Sequence, residues 1–483
     1  MNDTAPFDAE RTKREVAWLD SESESVVWSA PNGLSFDLML PKTVYPPRED
    51  TELLAAAMLK FGVSKGMRVL DIGCGSGVLS LLAASEGCHV TACDINPYAV
   101  ATVRAHAANL ALPIRVNEGG PGPVIDGSMA QWGGDALYDV VVWNMPYLPP
   151  PGVEQPVLGP MEEASLVDTD DVGLFQRLVT LLANGRLLAP KGKAFVVVSS
   201  AYEGERACVK AWSSGLAARP VADLAFADGE TLTVICLWQP YEGAYEMVVD
   251  EATSTNLELL SDTSPVGTVL RAAQQSAGRG QRGRVWQTLE NALLASWVIS
   301  DGPTLPHHPV DQVLVGWSLA TITQHVKGLT SNEACVKWPN DLYLATPEGW
   351  RKAAGVLFDS VSQGATHRLV LGIGLNTSGS TDGQFAGVND GLAQPLAVGR
   401  WFSMVHAAVA SLFEDVHPSF PHGREVWRHH VEHAVLEGVN SLGPLTYRNQ
   451  PCEVEGLSAG GELKFSTPQG TTDEPNDVAW SKI

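Results

Sequence analysis

Cationic side chains are scarce in this chain of 483 residues, which holds 32 lysines and arginines against 55 aspartates and glutamates. The formal net charge of -23 repels phosphate backbones over the surface as a whole, so we do not expect nucleic acid as a partner. Four arginines nevertheless fall between Arg271 and Arg284. A basic island in an acidic protein indicates a local site for a small anionic ligand.

Cysteines and long apolar runs are also few. The seven cysteines form no Cys-x-x-Cys pair, which argues against disulfides and a cysteine-type zinc site. His429, His430 and His433 share one predicted helix, and we predict a solvated face there and no metal site. No apolar run approaches the roughly 20 residues of a membrane helix, and residues 1–14 do not resemble a secretory signal. We therefore expect no membrane association and a cytoplasmic location.

The chain is too long for one hydrophobic core, and its length predicts two to four domains. The acidic, serine-rich residues 1–25 are predicted to be disordered. Strands are then predicted over residues 68–71, 89–94, 138–143, 194–199 and 231–238, and helices over residues 78–85, 98–110 and 172–189. This alternation predicts an α/β domain over residues 26–240, built on an open, doubly wound parallel sheet.

The pattern changes after Pro240 and Gly243, which mark a predicted domain boundary. Strands are predicted over residues 268–274, 292–299, 335–338, 355–359 and 368–372, and amphipathic helices over residues 311–329 and 396–413. This mixture predicts an α+β domain over residues 245–435. From residue 436 short strands broken by glycine and proline predict a small SH3-like β-barrel over residues 436–483.

A glycine-rich loop follows the first predicted strand, which ends at Asp71. Gly73, Gly75 and Gly77 allow the backbone to approach a ligand closely, although glycines alone also fit an ordinary tight turn. Asp94 ends the next strand, where a carboxylate can accept both hydroxyls of a ribose. Because the spacing differs from the dinucleotide form and the lysine of a P-loop is absent, the phosphate-free S-adenosylmethionine is the better ligand.

The tetrapeptide Asn144-Met145-Pro146-Tyr147 lies at the carboxyl end of the fourth predicted strand, where such sheets bind ligands. The side-chain oxygen of Asn144 and the carbonyl of Met145 can accept the two hydrogens of an amide or amine nitrogen. Tyr147 can cover the flat face of that group. The residues therefore predict transfer of a methyl group to nitrogen, driven mainly by positioning, with a plain turn after the strand as the alternative.

Residues 44–238 resemble the release-factor glutamine methyltransferase family, whose usual tetrapeptide is Asn-Pro-Pro-Tyr. The segments 47–52 and 162–164 match as well, and Met145 departs from the pattern. The resemblance implies a Rossmann-like, seven-stranded methyltransferase domain with Asn144 and Tyr147 as catalytic residues. The implied S-adenosylmethionine-binding residues are Asp71, Gly73, Gly75, Gly77, Asp94 and Asn144. The methyl acceptor stays open among a glutamine of a peptide-chain release factor, another protein side chain and a small amide.

A second motif combines a glycine/arginine loop with a lysine that ends a strand. Gly278, Gly280 and Gly283 let the loop wrap a ligand, and the arginines at 279, 282 and 284 offset negative charge. Trp286 can stack against an apolar part of the ligand. Lys337, in Lys337-Trp338-Pro339-Asn340-Asp341, is a compact cation that can reach both a carboxylate and a phosphate.

Residues 246–483 resemble the biotin protein ligase family, with Gln281 in place of the basic residue that most members carry. The resemblance implies a biotin/lipoate ligase-like fold, with Lys337 and Arg279 as catalytic residues. It also implies formation of biotinyl-5'-AMP from biotin and ATP with Mg²⁺, and transfer to a lysine of a biotin carboxyl carrier domain. The implied biotin- and ATP-binding residues are Ser254, Thr255, Asn256, Gln275, Gly278, Arg279, Gly280, Gln281, Arg282, Gly283, Arg284, Trp286, Lys337, Asn340, Gly355, Gly372, Gly374 and Asn376.

Two hypotheses follow for the whole chain. In the first, it is a bifunctional enzyme that methylates an amide nitrogen and biotinylates a lysine. In the second, the ligase is active and the methyltransferase-like domain has become a binding or docking module. Because no winged-helix domain precedes the ligase in this sequence, repressor activity is not expected.

Overall fold

The computed structural model describes residues 23–121, 131–147, 168, 170–202, 204–305, 308–448, 450–466, 471–472 and 478–481. These residues divide into two compact units. The first holds the described residues up to Ala211, together with Ala218–Gln239 and His417–Phe420. The second holds Trp212–Ala217, Pro240–Val416 and the described residues from Pro421 onward. Within the described residues, no helix is both long and apolar enough to cross a membrane.

The first unit begins with an antiparallel hairpin and continues with a seven-stranded sheet. The hairpin strands are β1 (Glu24–Ser29) and β2 (Ser35–Leu40), so β1 begins inside the segment predicted to be disordered, of which residues 1–22 lie outside the described part. The sheet strands are β3 (Arg68–Ile72), β4 (His89–Asp94), β5 (Ile114–Glu118), β6 (Tyr138–Trp143), β7 (Leu188–Ser199), β8 (Ala217–Ala225) and β9 (Thr231–Trp238). Their order is β5-β4-β3-β6-β7-β9-β8, which confirms the seven-stranded α/β sheet.

Helices connect these strands. They are α1 (Glu49–Phe61), α2 (Val78–Ser85), α3 (Pro97–Asn109), α4 (Leu174–Ala183) and α5 (Gly204–Ser213). The reversal of strand order between β3 and β6 places the carboxyl ends of β3, β4 and β6 side by side, which is where an α/β sheet binds its ligand.

Two details of the predicted first domain are wrong. The sheet is not wholly parallel, because β9 runs antiparallel to β7. The helix predicted over residues 172–189 ends at Ala183, since Gly185 takes a left-handed φ of 65° and Leu188 already begins β7. The buried apolar start of β7 has no periodicity that separates it from the end of a helix.

The second unit is built on a seven-stranded mixed sheet, in agreement with the α+β prediction. Its strands are β10 (Glu246–Ala252), β11 (Val269–Gln275), β12 (Leu293–Gly302), β13 (Ala334–Lys337), β14 (Asp341–Thr346), β15 (Gly349–Gln363) and β16 (Thr366–Leu375). They lie in the order β10-β11-β12-β16-β15-β14-β13, and only the β10–β11 pair is parallel. The helices are α6 (Thr255–Ser261), α7 (Val310–Lys327), α8 (Val398–Phe413), α9 (Gly423–Val426) and α10 (Arg428–Leu442).

The predicted start of the last domain, residue 436, lies inside helix α10. This helix continues to Leu442 because Val435, Gly438 and Leu442 extend its buried face, and it stops at Gly443, whose φ is 84°. The described residues beyond it form two three-stranded sheets. Their strands are β17 (Leu445–Tyr447), β18 (Gln450–Cys452), β19 (Val454–Leu457), β20 (Leu463–Phe465), β21 (Thr471–Thr472) and β22 (Val478–Trp480). Closure of these sheets into an SH3-like barrel stays a prediction.

Candidate active sites

The glycine loop of the first unit needs glycine for two different reasons. Gly73, Gly75 and Gly77 all have left-handed φ angles, of 62°, 50° and 84°. A Cβ at Gly77 would also lie 2.6 Å from Cγ2 of Val103 on α3, so Gly77 serves helix packing, and it does not line the cavity described below. Gly73 and Gly75 do line that cavity.

Two carboxylates flank this loop, and one of them bonds its backbone directly. Asp94 accepts hydrogen bonds from the backbone N–H groups of Gly75 and Asn96, each at 2.8 Å. Asp71 is buried and accepts the Ser80 hydroxyl proton at 2.6 Å. Burial raises the pKa of Asp71 to about 7, and it also raises the pKa of Asp94 against the lowering effect of the two N–H groups.

The loop and the tetrapeptide face one cavity of about 620 Å³. Of the residues predicted from sequence, Asp71, Gly73, Gly75, Asp94, Asn144 and Tyr147 line it. Helix α1 contributes two further side chains, Asp50 and Thr51. Residues 162–164, also matched from sequence, lie outside the described residues.

Asn144 carries an atom that indicates a ligand. Its Nδ2 lies 3.4 Å from the hydroxyl of Thr51, whereas its Oδ1 is buried and has no hydrogen-bond partner among the described residues. Tyr147 donates its hydroxyl proton to Asp50 at 3.1 Å, and burial raises the pKa of that phenol further above its usual range. A buried acceptor without a donor is costly, so Oδ1 fits a site for an incoming N–H group.

Asp50 and Thr51 belong to the matched segment 47–52 but were not predicted from sequence as site residues. The available signal was the pair of polar residues at the start of a helix whose later positions are apolar. Only the fold shows that α1 carries these side chains to the end of β6.

In the second unit, strand register places four residues in one row across the sheet. Lys337 pairs with Asp341, Asp341 with Gly355, and Gly355 with Gly374. Residues directly opposite each other in antiparallel strands point to the same face. Lys337, Gly355 and Gly374, which lie far apart in the chain, therefore share one surface of the sheet.

The two glycines of this row make room for Trp286. A Cβ at Gly374 would lie 2.5 Å from two ring atoms of the Trp286 indole, and a Cβ at Gly355 would lie 3.0 Å from a third. The indole Nε1 is buried and has no partner among the described residues. Glycine at both positions is thus required by close packing.

Asn256 lies in the same way over Gly372, where a Cβ would come within 2.1 Å of its Oδ1. Ser296 donates to that oxygen at 2.6 Å, and Asn256 Nδ2 donates to Asp359 at 2.9 Å. The backbone N–H of Thr255 donates to Oε1 of Gln275 at 2.9 Å, which leaves the Gln275 amide protons to other partners. Ser254, Thr255, Asn256 and Gln275 all line a second cavity, of about 140 Å³.

The glycine/arginine loop closes over this cavity as a short hairpin. Gly280 N–H donates to Arg284 O at 2.7 Å, and Trp286 N–H donates to Gly278 O at 2.9 Å. Gln281 donates to Gln312 on α7. The side chain of Arg282 lies outside what the structure describes. The predicted loop residues that line the cavity are Arg279, Gly280, Gln281, Arg284 and Trp286, and Gly278 and Gly283 do not.

Lys337 stands beside this cavity and does not line it. Burial lowers the pKa of Lys337, and Asp341 partly opposes the shift. Asp341 itself forms an ion pair of 2.7 Å with Lys352, and both of these residues line the cavity. Asp341 and Lys352 were not predicted from sequence as site residues, because their pairing depends on the register of β14 and β15.

Asn340, Gly355, Gly372 and Gly374 also line the cavity, as predicted, whereas Asn376 does not. Asn340 Nδ2 donates to Val356 O at 2.7 Å. Asn376 keeps a buried Oδ1 without a partner among the described residues.

The histidine cluster is only partly a solvated face. His429 and His433 are exposed, but His430 packs on Trp317 and burial lowers its pKa to about 4. No group of three or more histidine, cysteine, aspartate or glutamate residues in the described part of the chain is arranged to hold a metal ion.

Each of the two units contains a stretch that matches a known family. Residues 247–376 match the model of the biotin/lipoate A/B protein ligase family, and residues 69–155 match that of a methyltransferase domain. A bifunctional ligase/repressor of Bacillus spizizenii is 27% identical over 140 residues, which are 29% of this chain and 41% of that protein. A release factor glutamine methyltransferase of Rhodospirillum rubrum is 33% identical over 163 residues, which are 32% of this chain and 47% of that protein.

The chain therefore spans less than half the length of each of these two relatives. A solved biotin protein ligase from Aquifex aeolicus, in complex with biotin and ATP, is 19% identical with a TM-score of 0.40, covering 50% of this chain and 99% of that one. This chain therefore contains a methyltransferase domain followed by a domain of the biotin/lipoate A/B protein ligase family.

Proposed function

We propose that the first unit methylates a primary amide nitrogen of a protein side chain, a glutamine of a peptide-chain release factor being the favoured acceptor. The observation that supports this most directly is the buried, unpartnered Oδ1 of Asn144, which needs an N–H donor. S-adenosylmethionine, when bound, supplies the methyl group on a sulfonium.

The residues of the chain then position the cofactor and the methyl acceptor relative to each other. Gly73 and Gly75 would bring the backbone to the cofactor, and Asp94 would accept its ribose hydroxyls. Asn144 holds the acceptor N–H so that the nitrogen lone pair points toward the methyl group, and Tyr147 covers the acceptor. Methyl transfer leaves the nitrogen with one proton too many, which it loses to solvent.

The test uses the full chain, cell extract and a labelled methyl donor, followed by identification of labelled peptides. Label on a glutamine side chain, absent with Asn144→Ala, supports the proposal. If the chain binds S-adenosylmethionine but labels no protein or small amide, the docking-module hypothesis replaces it.

We further propose that the second unit activates biotin with ATP and transfers it to a lysine of a biotin carboxyl carrier domain. The supporting observation is the row Lys337–Asp341–Gly355–Gly374 beside a loop bearing Arg279 and Arg284. Cations gathered near an apolar glycine floor suit a ligand with an apolar ring system and anionic groups.

Activation forms a bond between a biotin carboxylate oxygen and the α-phosphorus while the bond to pyrophosphate breaks. Arg279, Arg284 and Lys337 offset the charge of the two anions and of the transition state. The amine of the acceptor lysine then attacks the acyl carbon, AMP leaves with the bonding electron pair, and the amine loses a proton. The proposal includes Mg²⁺ as the partner of the ATP phosphates.

Biotin-dependent exchange of pyrophosphate with ATP tests the first half-reaction, and labelling of an isolated carrier domain tests the second. Exchange without carrier labelling would restrict the proposal to activation. Together the two proposals describe a bifunctional protein-modifying enzyme of the cytoplasm, without a nucleic-acid or membrane partner.

A further inference from the structure

Asp50 is a buried carboxylate at the beginning of α1, only 3% exposed, beside the methyl-transfer tetrapeptide. Its Oδ2 accepts the Tyr147 hydroxyl proton at 3.1 Å. Its Oδ1 accepts both the backbone N–H of Thr51, at 2.6 Å, and the Thr51 hydroxyl proton, at 3.1 Å. Asp50 is the acceptor in all three contacts, so the backbone N–H and the two hydroxyls are the donors.

The Thr51 hydroxyl has a single proton, which it donates in its hydrogen bond to Oδ1 of Asp50. The lone pairs of Oγ1 must therefore face donors. Two are in place, Nδ2 of Asn144 and the backbone N–H of Arg48, each at 3.4 Å. The amide group of Asn144 is thus bound through its nitrogen, and its oxygen turns the other way.

We infer that Asp50 is a positioning residue that acts through Thr51 to hold Asn144 with its side-chain oxygen toward the methyl acceptor. The hydrogen bonds form a chain that runs in one direction. The Asn144 amide donates to the Thr51 hydroxyl, and that hydroxyl donates to Asp50. Reversing the Asn144 amide would place its oxygen against an Oγ1 that has no proton left to donate. The unpartnered Oδ1 of Asn144 is the free end of this chain.

This orientation selects the acceptor, an inference that rests on the proposed methyl transfer. An oxygen that only accepts binds the N–H of a primary amide and repels the oxygen of a carboxylate of the same shape. A site with this polarity therefore takes glutamine and rejects glutamate, because a carboxylate would place two acceptor oxygens against each other with no proton between them. An asparagine at position 50 can place either its acceptor oxygen or its donor nitrogen against Thr51, so the direction of the hydrogen-bond chain is no longer fixed.

The orientation can be measured without knowing the acceptor, by NMR of the side-chain amide of Asn144 in the full chain, assigned through its loss in Asn144→Asp. We expect the protons on Nδ2 to exchange about tenfold faster in Thr51→Val, which keeps the shape and removes the hydroxyl, and in Asp50→Asn. Thr51→Ser should restore slow exchange. Thr180→Val and Asp37→Asn, both exposed positions of the same unit, are the matched controls.

Methyl transfer to the side chain of N-acetyl-glutamine N-methylamide, with N-acetyl-glutamate N-methylamide as competitor, gives the second readout. Thr51→Val and Asp50→Asn should lower kcat/KM by about tenfold to a hundredfold and strengthen inhibition by the glutamate compound, with the Kd of S-adenosylmethionine within about twofold of wild type. Equal exchange rates in wild type and Thr51→Val would overturn the inference. A wild-type chain with the expected exchange rates that transfers no methyl group would instead overturn the proposed function.

Discussion

The indole of Trp286 packs against Gly374, where a Cβ would lie 2.5 Å from the ring atoms Cε2 and Cζ2. This contact fixes the end of the glycine/arginine loop on the floor of the cavity in the second unit, although 88 positions separate the two residues in sequence. We therefore expect Gly374→Ala to expel the indole and to weaken biotin binding by about tenfold or more, the scale of overpacking by one methyl group. Calorimetry with biotin measures this.

Gly302→Ala is the matched control for that variant, because it lies in the same sheet with open space around its added methyl group. An unchanged biotin affinity in Gly374→Ala would show that the Trp286 contact plays no part in binding.

Lys337→Ala is expected to abolish adenylate formation and to leave methyl transfer intact. Its ammonium is half-buried beside Asp341 and Lys352, and loss of a preorganised charge costs about two decades or more in rate. ATP–pyrophosphate exchange measures the loss, and the exposed Lys464→Ala serves as control. A rate within about tenfold of wild type would contradict the assignment.

Asn144→Ala and Asp94→Ala should separate the two halves of the methyl-transfer site. Asp94 holds the glycine loop through Gly75, so its loss should first weaken S-adenosylmethionine binding. Asn144 faces the acceptor through Oδ1, so its loss should remove methyl transfer and preserve cofactor binding. Calorimetry and a labelled-methyl assay on both variants check the split, and the opposite pattern would refute the two roles.

Gln281→Arg is expected to slow the release of biotinyl-5'-AMP. Residue 281 lines the cavity with Arg279 and Arg284, and a guanidinium there adds a charge-assisted hydrogen bond of roughly 1.5 to 3 kcal/mol before desolvation. The off-rate should fall by about tenfold or more, because 1.4 kcal/mol corresponds to one decade. Equal off-rates of the pre-formed adenylate in both proteins would mean that position 281 does not face the phosphate.

Affinity for S-adenosylmethionine should rise with pH through about 7. Burial raises the pKa of Asp71 to about 7, so its carboxyl group is neutral below that pH and negative above it. The negative form attracts the positively charged cofactor, and the neutral form does not. Titrating the Kd between pH 6 and pH 8 tests this expectation, and Asp71→Asn should make the curve flat.

Local pattern was sufficient for much of the fold. The strands that end at Asp94 and Trp143 and the long helices over 310–327 and 398–413 follow directly from apolar periodicity, which depends on near neighbours in the chain. The same pattern failed at residues 184–189 and at residue 436, where a buried strand and a buried helix face have similar composition. Local pattern also could not predict that β9 runs antiparallel to β7, because strand direction is set by pairing and not by composition.

The sequence by itself determined which chemical groups this protein can bring to each site: the glycine loop with Asp71 and Asp94, the tetrapeptide from Asn144, and the glycine/arginine loop with Lys337. Only the tertiary structure decided which further side chains meet them. Asp50 reaches Tyr147 from 97 positions away, and Lys352 reaches Asp341 through strand register. Such partners are set by long-range packing. Hydrophobic periodicity reports only on residues that are close in sequence, so it cannot reveal a hydrogen bond between distant residues.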